Sequence, residues 1–387
     1  VRCTPEAVAS ALRDLDTRGL RRTRVVAGDP PLLNFCSNDY LGLASDPVPA
    51  AAMAECAART GAGSGASHLV SGHGAEHEAL ERELAEFTGR ERALLFSTGY
   101  MANLGVAAAL ADRDDLVLED RLNHASLIDA GLLARTRAFR RYPHADANAA
   151  ARQISEHVAG RPGAGALLLT DGVFSMDGDL APLPALAEAA AAHGAWLVVD
   201  DAHGFGVLGA TGAGSCEHFG LGAREVPVLM GTLGKALGSF GAFVAGDAAL
   251  IELMIQRART YIYTTALPQP VAAATRAALR LVRQQGWRRE RLGELVARFV
   301  EGARRRGLPV APSSTPIQPV IIGSADAAMG ASRALRERGF WVAAIRPPTV
   351  PEGSARLRVT LSAAHTVAEV ERLLVALEDT CSGVRRG

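Results

Sequence analysis

"AWLVVDDAHGFGVLG", residues 195–209, begins as an apolar run and ends among glycines. Trp196–Val199 followed by Asp200 predicts a strand buried on both faces with a carboxylate at its C-terminal end. "GFGVLG" (204–209) matches G-x-G-x-x-G, the fingerprint of a dinucleotide-binding turn. That fold requires a helix to open there and an acid to end the next strand. "ATGAGS" follows instead, too small and glycine-rich to start a helix, and the next strand, "VPVLMG", ends without a carboxylate. The segment therefore predicts a strand and a glycine-rich turn.

The following run, "VPVLMGTLGKALGSFGAF" (226–243), sets Lys235 among small residues just after a strand. A phosphate loop would need Gly at position 229 and Ser or Thr after the lysine. Leu229 and Ala236 stand there, so the motif fails at both ends. Further upstream, strand patterns in "ERALLFSTGY", "DLVLED" and "GALLLTDG" alternate with helix patterns in "EHEALERELAEFTG", "GYMANLGVAAALA" and "LPALAEAAAAHG". Such alternation predicts an α/β fold with a mostly parallel sheet, whose ligands gather at the C-terminal strand ends. After about residue 268 come "IQPVIIG", "DAAMGASRALRERG", "FWVAAI", "RLRVTLS" and "TVAEVERLLVALEDT", which predict a smaller α+β C-terminal domain. Three regions are expected: an N-terminal helix and arm (1–45), a large α/β domain (46–268) and a C-terminal domain (269–387).

The 387 residues are 48% hydrophobic, enough for a large core, and carry 41 basic against 41 acidic side chains. This balance gives no electrostatic ground for a nucleic-acid or membrane partner. No apolar run approaches the roughly 20 residues of a membrane helix, and the start lacks a signal-peptide block. Five scattered cysteines have neither metal nor redox spacing, which predicts a cytoplasmic protein without a metal site.

Asp200 and Lys235 each follow a strand-like run; His203 lies just beyond one and Thr232 just before the other. Singly, an aspartate is a turn former, a histidine a satisfied core group, a lysine a surface cation. Together they suit pyridoxal phosphate, which needs a lysine for its aldehyde, a carboxylate for its ring nitrogen, donors for its phosphate and a flat group over its ring. A desolvated lysine is also a usable nucleophile and base.

Seven blocks in order resemble the α-oxoamine synthases, pyridoxal-phosphate enzymes of fold type I that join an amino acid to an acyl thioester with loss of carbon dioxide. They are "SNDYLGLA" (37–44), "GSGASHLVSG" (63–72), "LNHASLIDAG" (122–131), "TDGVFSMDGDLAPL" (170–183), "VVDDAHGFG" (198–206), "GTLGKALG" (231–238) and "IRPPTVPEGSARLRVTLSAAH" (345–365). The resemblance runs from about residue 20 to 377. It implies that Lys235 is the Schiff-base lysine, Asp200 the partner of the pyridine nitrogen and His124 the imidazole stacked on the ring. His203 and Ser175 match groups near the phenolic oxygen. Gly99, Tyr100 and Thr232 match phosphate contacts, and Thr264 and Thr265 match a pair that reaches the phosphate from the neighbouring subunit of a homodimer. Arg358 matches the arginine that grips the amino-acid carboxylate; strand alternation puts Arg356 on the same face and leaves both as candidates. Asn38 matches an asparagine near that carboxylate, and Arg21 matches an N-terminal arginine that meets the far end of the acyl-CoA. Two departures stand out: Asp171 replaces an acid one carbon longer, and His68 replaces an arginine. "AIRPPTVP" is similar to the family member of biotin synthesis, which implies L-alanine and pimeloyl-CoA or a pimeloyl-carrier protein as substrates. Glycine with acetyl- or succinyl-CoA, or another amino acid with a long acyl chain, would use the same machinery.

Overall fold

The computed structural model describes residues 3–24, 26 and 32–384. Contacts divide the chain into two compact units: Asn38–Ser175 with Asp179–Arg291, and Val1–Ser37 with Met176–Gly178 and Leu292–Gly387.

The larger unit is built on seven strands: β1 (Arg92–Phe96), β2 (Leu116–Asp120), β3 (Ala138–Tyr142), β4 (Ala166–Asp171), β5 (Trp196–Asp200), β6 (Val228–Thr232) and β7 (Ala242–Gly246). Their order is β1-β7-β6-β5-β4-β2-β3. The pairs among β2 to β6 are parallel, and β7 runs against both of its neighbours. Alternate side chains fill two cores. Val117, Leu167, Leu169, Val198, Val228 and Met230 pack with the helices Gly99–Leu110, Ala125–Leu133 and Ala248–Arg257. Leu116, Leu118, Leu168, Leu197, Val199 and Leu229 pack with Ala147–Gly160 and Leu183–Ala192 on the other side. Each such leucine or valine stabilises the fold by about 1.5–3 kcal/mol through burial. Register sets Asp171 beside Asp200, so two carboxylates end adjacent strands at one sheet edge.

The glycine-rich turn after β5 is organised by Asp201. Its carboxylate accepts from Ser215 N and Ser215 Oγ, both at 2.7 Å. Burial pushes that carboxyl up to about 7, opposed by the two bonds from Ser215. Gly214, at φ 107°, brings its backbone against this carboxylate, where a Cβ would overlap Oδ2. The dinucleotide fingerprint is thus a turn wrapped on a buried acid.

The helix Gln269–Gln284 packs on Pro47–Thr60 and Ala75–Thr88 within the larger unit. Its alanines, Ala272, Ala273, Ala274, Ala277 and Ala278, are buried, and Arg276 bonds Glu83 at 2.7 and 2.9 Å and Glu76 at 2.6 Å. The contact division falls near residues 37 and 291.

In the smaller unit, Ala343–Ile345, Ala355–Thr360 and Ile317–Gly323 form an antiparallel sheet, with Ala325–Glu337 and Val367–Val384 as helices. "FWVAAI" divides in two: Phe340–Trp341 pairs with Leu33–Asn34, and Ala343–Ile345 joins the three-stranded sheet. Among the described residues no helix is long and apolar enough to cross a membrane.

Candidate active site

A cavity of about 180 Å³ opens at the C-terminal strand ends of the larger unit. Lys235, Asp200, His203, His124, Thr232, Gly99 and Tyr100 all line it. Asp200 is buried at the end of β5; its Oδ1 accepts from Ala202 N at 3.0 Å and its Oδ2 from Asn103 Nδ2 at 2.7 Å. Lys235 is half-buried in the turn after β6, with Nζ 2.9 Å from His203 Nε2. His203 Nδ1 lies 2.5 Å from Tyr40 Oη.

His124 caps the helix Ala125–Leu133: its Nδ1 accepts from Ser126 N at 3.2 Å and meets Ser126 Oγ at 2.7 Å. Its own backbone N–H donates to Asp171 Oδ2 at 2.6 Å. Burial lowers the His124 pKa, with Lys235 pushing the same way and Asp200 opposing. A neutral imidazole therefore faces the cavity. Asp171 is driven well above the carboxylate range, first by burial and then by Asp200, while the His124 amide opposes. Two full charges on adjacent strand ends are avoided in this way.

The helix Gly99–Leu110 starts at the cavity, capped by Thr98, whose Oγ1 accepts from Met101 N at 3.2 Å. Tyr100 Oη donates to Asp129. Thr232 Oγ1 donates to Gly241 O at 3.1 Å. A helix N-terminus beside a hydroxyl favours an anion, and a carboxylate held by neutral donors favours a protonated ring nitrogen across from it. With an amine and a flat neutral imidazole in the same cavity, the donor set fits pyridoxal phosphate.

A model of the aminotransferase class I and II family matches residues 30–377. The 8-amino-7-oxononanoate synthase of Methylococcus capsulatus is 61% identical over 381 residues, 96% of this chain and 97% of that protein. This chain belongs to the α-oxoamine synthase family. It is a pyridoxal-phosphate-dependent acyltransferase of fold type I. Among solved structures, a Sphingomonas wittichii serine palmitoyltransferase matches at TM-score 0.89 and 29% identity, covering 98% of each chain. The 8-amino-7-oxononanoate synthase of Francisella tularensis matches at TM-score 0.78 and 30% identity, covering 91% of this chain and 98% of that one.

Other residues singled out in this α-oxoamine synthase are held by their own local contacts. Ser175 is half-buried in a turn after β4. Thr264 is half-buried and Thr265 exposed, in the stretch after the helix Arg259–Ile262. Asn38 Oδ1 accepts from Tyr40 Oη at 3.3 Å. In the smaller unit, Arg356 and Arg358 are both buried on the strand Ala355–Thr360. Arg356 is bound to the Asp177 carboxylate and to Ser354 O, while Arg358 Nη1 donates to Thr360 Oγ1 at 3.0 Å. Arg21 is exposed and paired with Asp16 at 2.8 Å.

His68 is buried and stacked on Tyr261, with ring centroids 5.0 Å apart. Burial, then His77 and His73, lower its pKa to about 3. Ring nitrogens of His68, His73 and His77 lie within 4.8 Å of one another. However, His77 Nδ1 accepts from Gly74 N and Nε2 bonds Leu267 O, so both of its nitrogens are already used by main chain. The cluster is a hydrogen-bonded lock. Asn103, Ser126 and Tyr40 went unseen in the sequence. Asn103 occupies the first turns of a helix whose N-terminus was recognised, which was the one available signal.

Proposed function

We propose that this chain condenses L-alanine with a pimeloyl thioester, pimeloyl-CoA or pimeloyl-carrier protein, and releases carbon dioxide, the reaction named for its synthase relatives in biotin synthesis. The observation that carries it is the near-full-length likeness to 8-amino-7-oxononanoate synthases, joined to the Lys235–His203 contact at the cavity. Pyridoxal phosphate, when bound, supplies an electron sink for the charge left on the amino acid's α-carbon. Lys235 Nζ would hold the cofactor through its aldehyde and would serve as the base for the amino acid's α-proton. Asp200 would keep a proton on the pyridine nitrogen. His124 would supply the flat, neutral group over the ring. Gly99 and Tyr100 amides with Thr232 Oγ1 would hold the phosphate. His203 and Ser175 would bond the phenolic oxygen, and His203 would also polarise the thioester carbonyl.

In this proposal Arg358 binds the alanine carboxylate as a bidentate fork, Asn38 assists, and Arg21 meets the acyl end. Arg356, paired with Asp177, is the alternative on the same strand face. Thr264 and Thr265 complete the phosphate site of a second copy in a cytoplasmic homodimer. The test is an assay of alanine and glycine against pimeloyl-, acetyl-, succinyl- and palmitoyl-CoA, following thiol release. Alanine with pimeloyl-CoA should give the highest kcat/KM; preference for any other pair overturns the assignment. Purified protein should be yellow, and borohydride should fix the cofactor on Lys235.

A further inference from the structure

Tyr40 is fully buried, and the chemistry above gives it no task. It is brought to the site from 163 residues before His203. Asp39 accepts from Leu43 N at 2.8 Å and Ala44 N at 3.1 Å, which folds "SNDYLGLA" into a tight turn. Gly238, at φ 62°, lets the Lys235 loop press on the Leu43–Ala44 backbone.

Four groups then follow in line. Lys235 Nζ is 2.9 Å from His203 Nε2, His203 Nδ1 is 2.5 Å from Tyr40 Oη, and Tyr40 Oη is 3.3 Å from Asn38 Oδ1. A phenol has one proton to give. Given to Asn38, it leaves the oxygen lone pairs to Nδ1, so Nδ1 carries the imidazole proton. Nε2 is then a lone pair aimed at the lysine.

We propose that Tyr40 is a positioning residue that sets the tautomer of His203, so that Nε2 accepts the hydrogen bond of the Lys235 ammonium. The inference rests on the proposed role of Lys235. His203 Nδ1–H donates to Tyr40 Oη, and the tyrosine proton stays toward Asn38. A tautomer in a histidine is fixed by whatever its other nitrogen bonds.

The test reads the lysine directly. Cofactor-free protein is treated with acetic anhydride across a pH series, and acetylation of Lys235 is followed by peptide mass spectrometry. In Tyr40→Phe, Nδ1–H loses its acceptor and the Nε2–H tautomer takes over, which opposes the ammonium. The labelling midpoint should fall by about one pH unit, a roughly tenfold faster reaction below the midpoint. Asn38→Leu frees the tyrosine proton to turn toward Nδ1 and should move the midpoint the same way; it carries the test if the first variant does not fold by circular dichroism. His124 and Asp171, which also act on or through the Lys235 charge, are unchanged in both. In parallel, the visible absorbance of the reconstituted holoenzyme is titrated against pH and should show a displaced transition in the variants. A midpoint that stays put or rises in folded variants overturns the proposal. If wild type takes up no pyridoxal phosphate while the shift is seen, the functional reading fails and the tyrosine assignment stands; if wild type loads and nothing shifts, the reverse holds.

Discussion

At the scale of single residues, Lys235 and Asp200 carry separable jobs. Lys235→Ala should leave a cavity that still takes up pyridoxal phosphate, seen by absorbance, while kcat falls by about 10²–10⁴-fold, the usual worth of a positioned acid–base group. Wild-type turnover in that variant would remove Lys235 from the chemistry. Asp200 depends on a neighbour: Asn103 Nδ2 donates to it and also to Ser126 Oγ at 2.8 Å. A hydrogen bond to a charged group is worth about 1.5–3 kcal/mol. Asn103→Leu should therefore raise the cofactor Kd by roughly 10- to 100-fold in a spectroscopic titration. An unchanged Kd would mean that Asp200 is held well enough by Ala202 N alone. Asp200 could be picked out of the sequence because it ends an apolar run. Asn103 could not, because nothing local in "GYMANLGVAAALA" says which of its polar groups turns inward.

Between elements, strand ends are tied by charge. His144, just past β3, is 2.9 Å from Asp120 of β2 and 2.8 Å from Asp179 in the loop after β4. Burial alone would lower its pKa, but the two carboxylates outweigh it and raise it from 6.5 to about 10. A raised folded pKa contributes stability that is complete below pH 6.5 and is lost as the pH climbs toward 10. The gap in thermal midpoint between wild type and His144→Asn should thus be largest near pH 6 and shrink toward pH 10. A gap independent of pH would remove the charge argument. Gly238 joins two other elements, and Gly238→Ala adds a Cβ at positive φ against the Leu43–Ala44 backbone. A non-glycine in that conformation costs about 1–3 kcal/mol before any overlap. Urea unfolding should show a loss at least that large. The strands β3 and β7 escaped the sequence pattern for local reasons. Arg140 and Arg141 interrupt the apolar run of β3, and β7 is five residues bounded by glycines.

The whole molecule exposes large apolar side chains on the larger unit. Leu132, Leu133 and Tyr263 are 63%, 59% and 71% exposed, and the last two line one open cleft. In the proposed homodimer a second copy covers them. Sedimentation should give twice the mass of the 387-residue chain, and Leu132→Asp with Leu133→Asp should shift it toward the monomer. A wild-type monomer at micromolar concentration would sink the shared-site arrangement. The sequence alone determined the alternation of buried strands and helices, the α+β texture of the C-terminal third, and the placing of Asp200 and Thr232 at strand ends with His203 and Lys235 just past them. These are local properties, written in the period of apolar residues and the punctuation that follows them. Only the tertiary structure decided that β7 enters the sheet reversed, that Gln269–Gln284 packs with the larger unit, and that Asn103 and Tyr40 stand behind Asp200 and His203. Those pairs lie 97 and 163 residues apart. The partner of a buried polar group depends on which segments the fold brings together, and no window of sequence contains both.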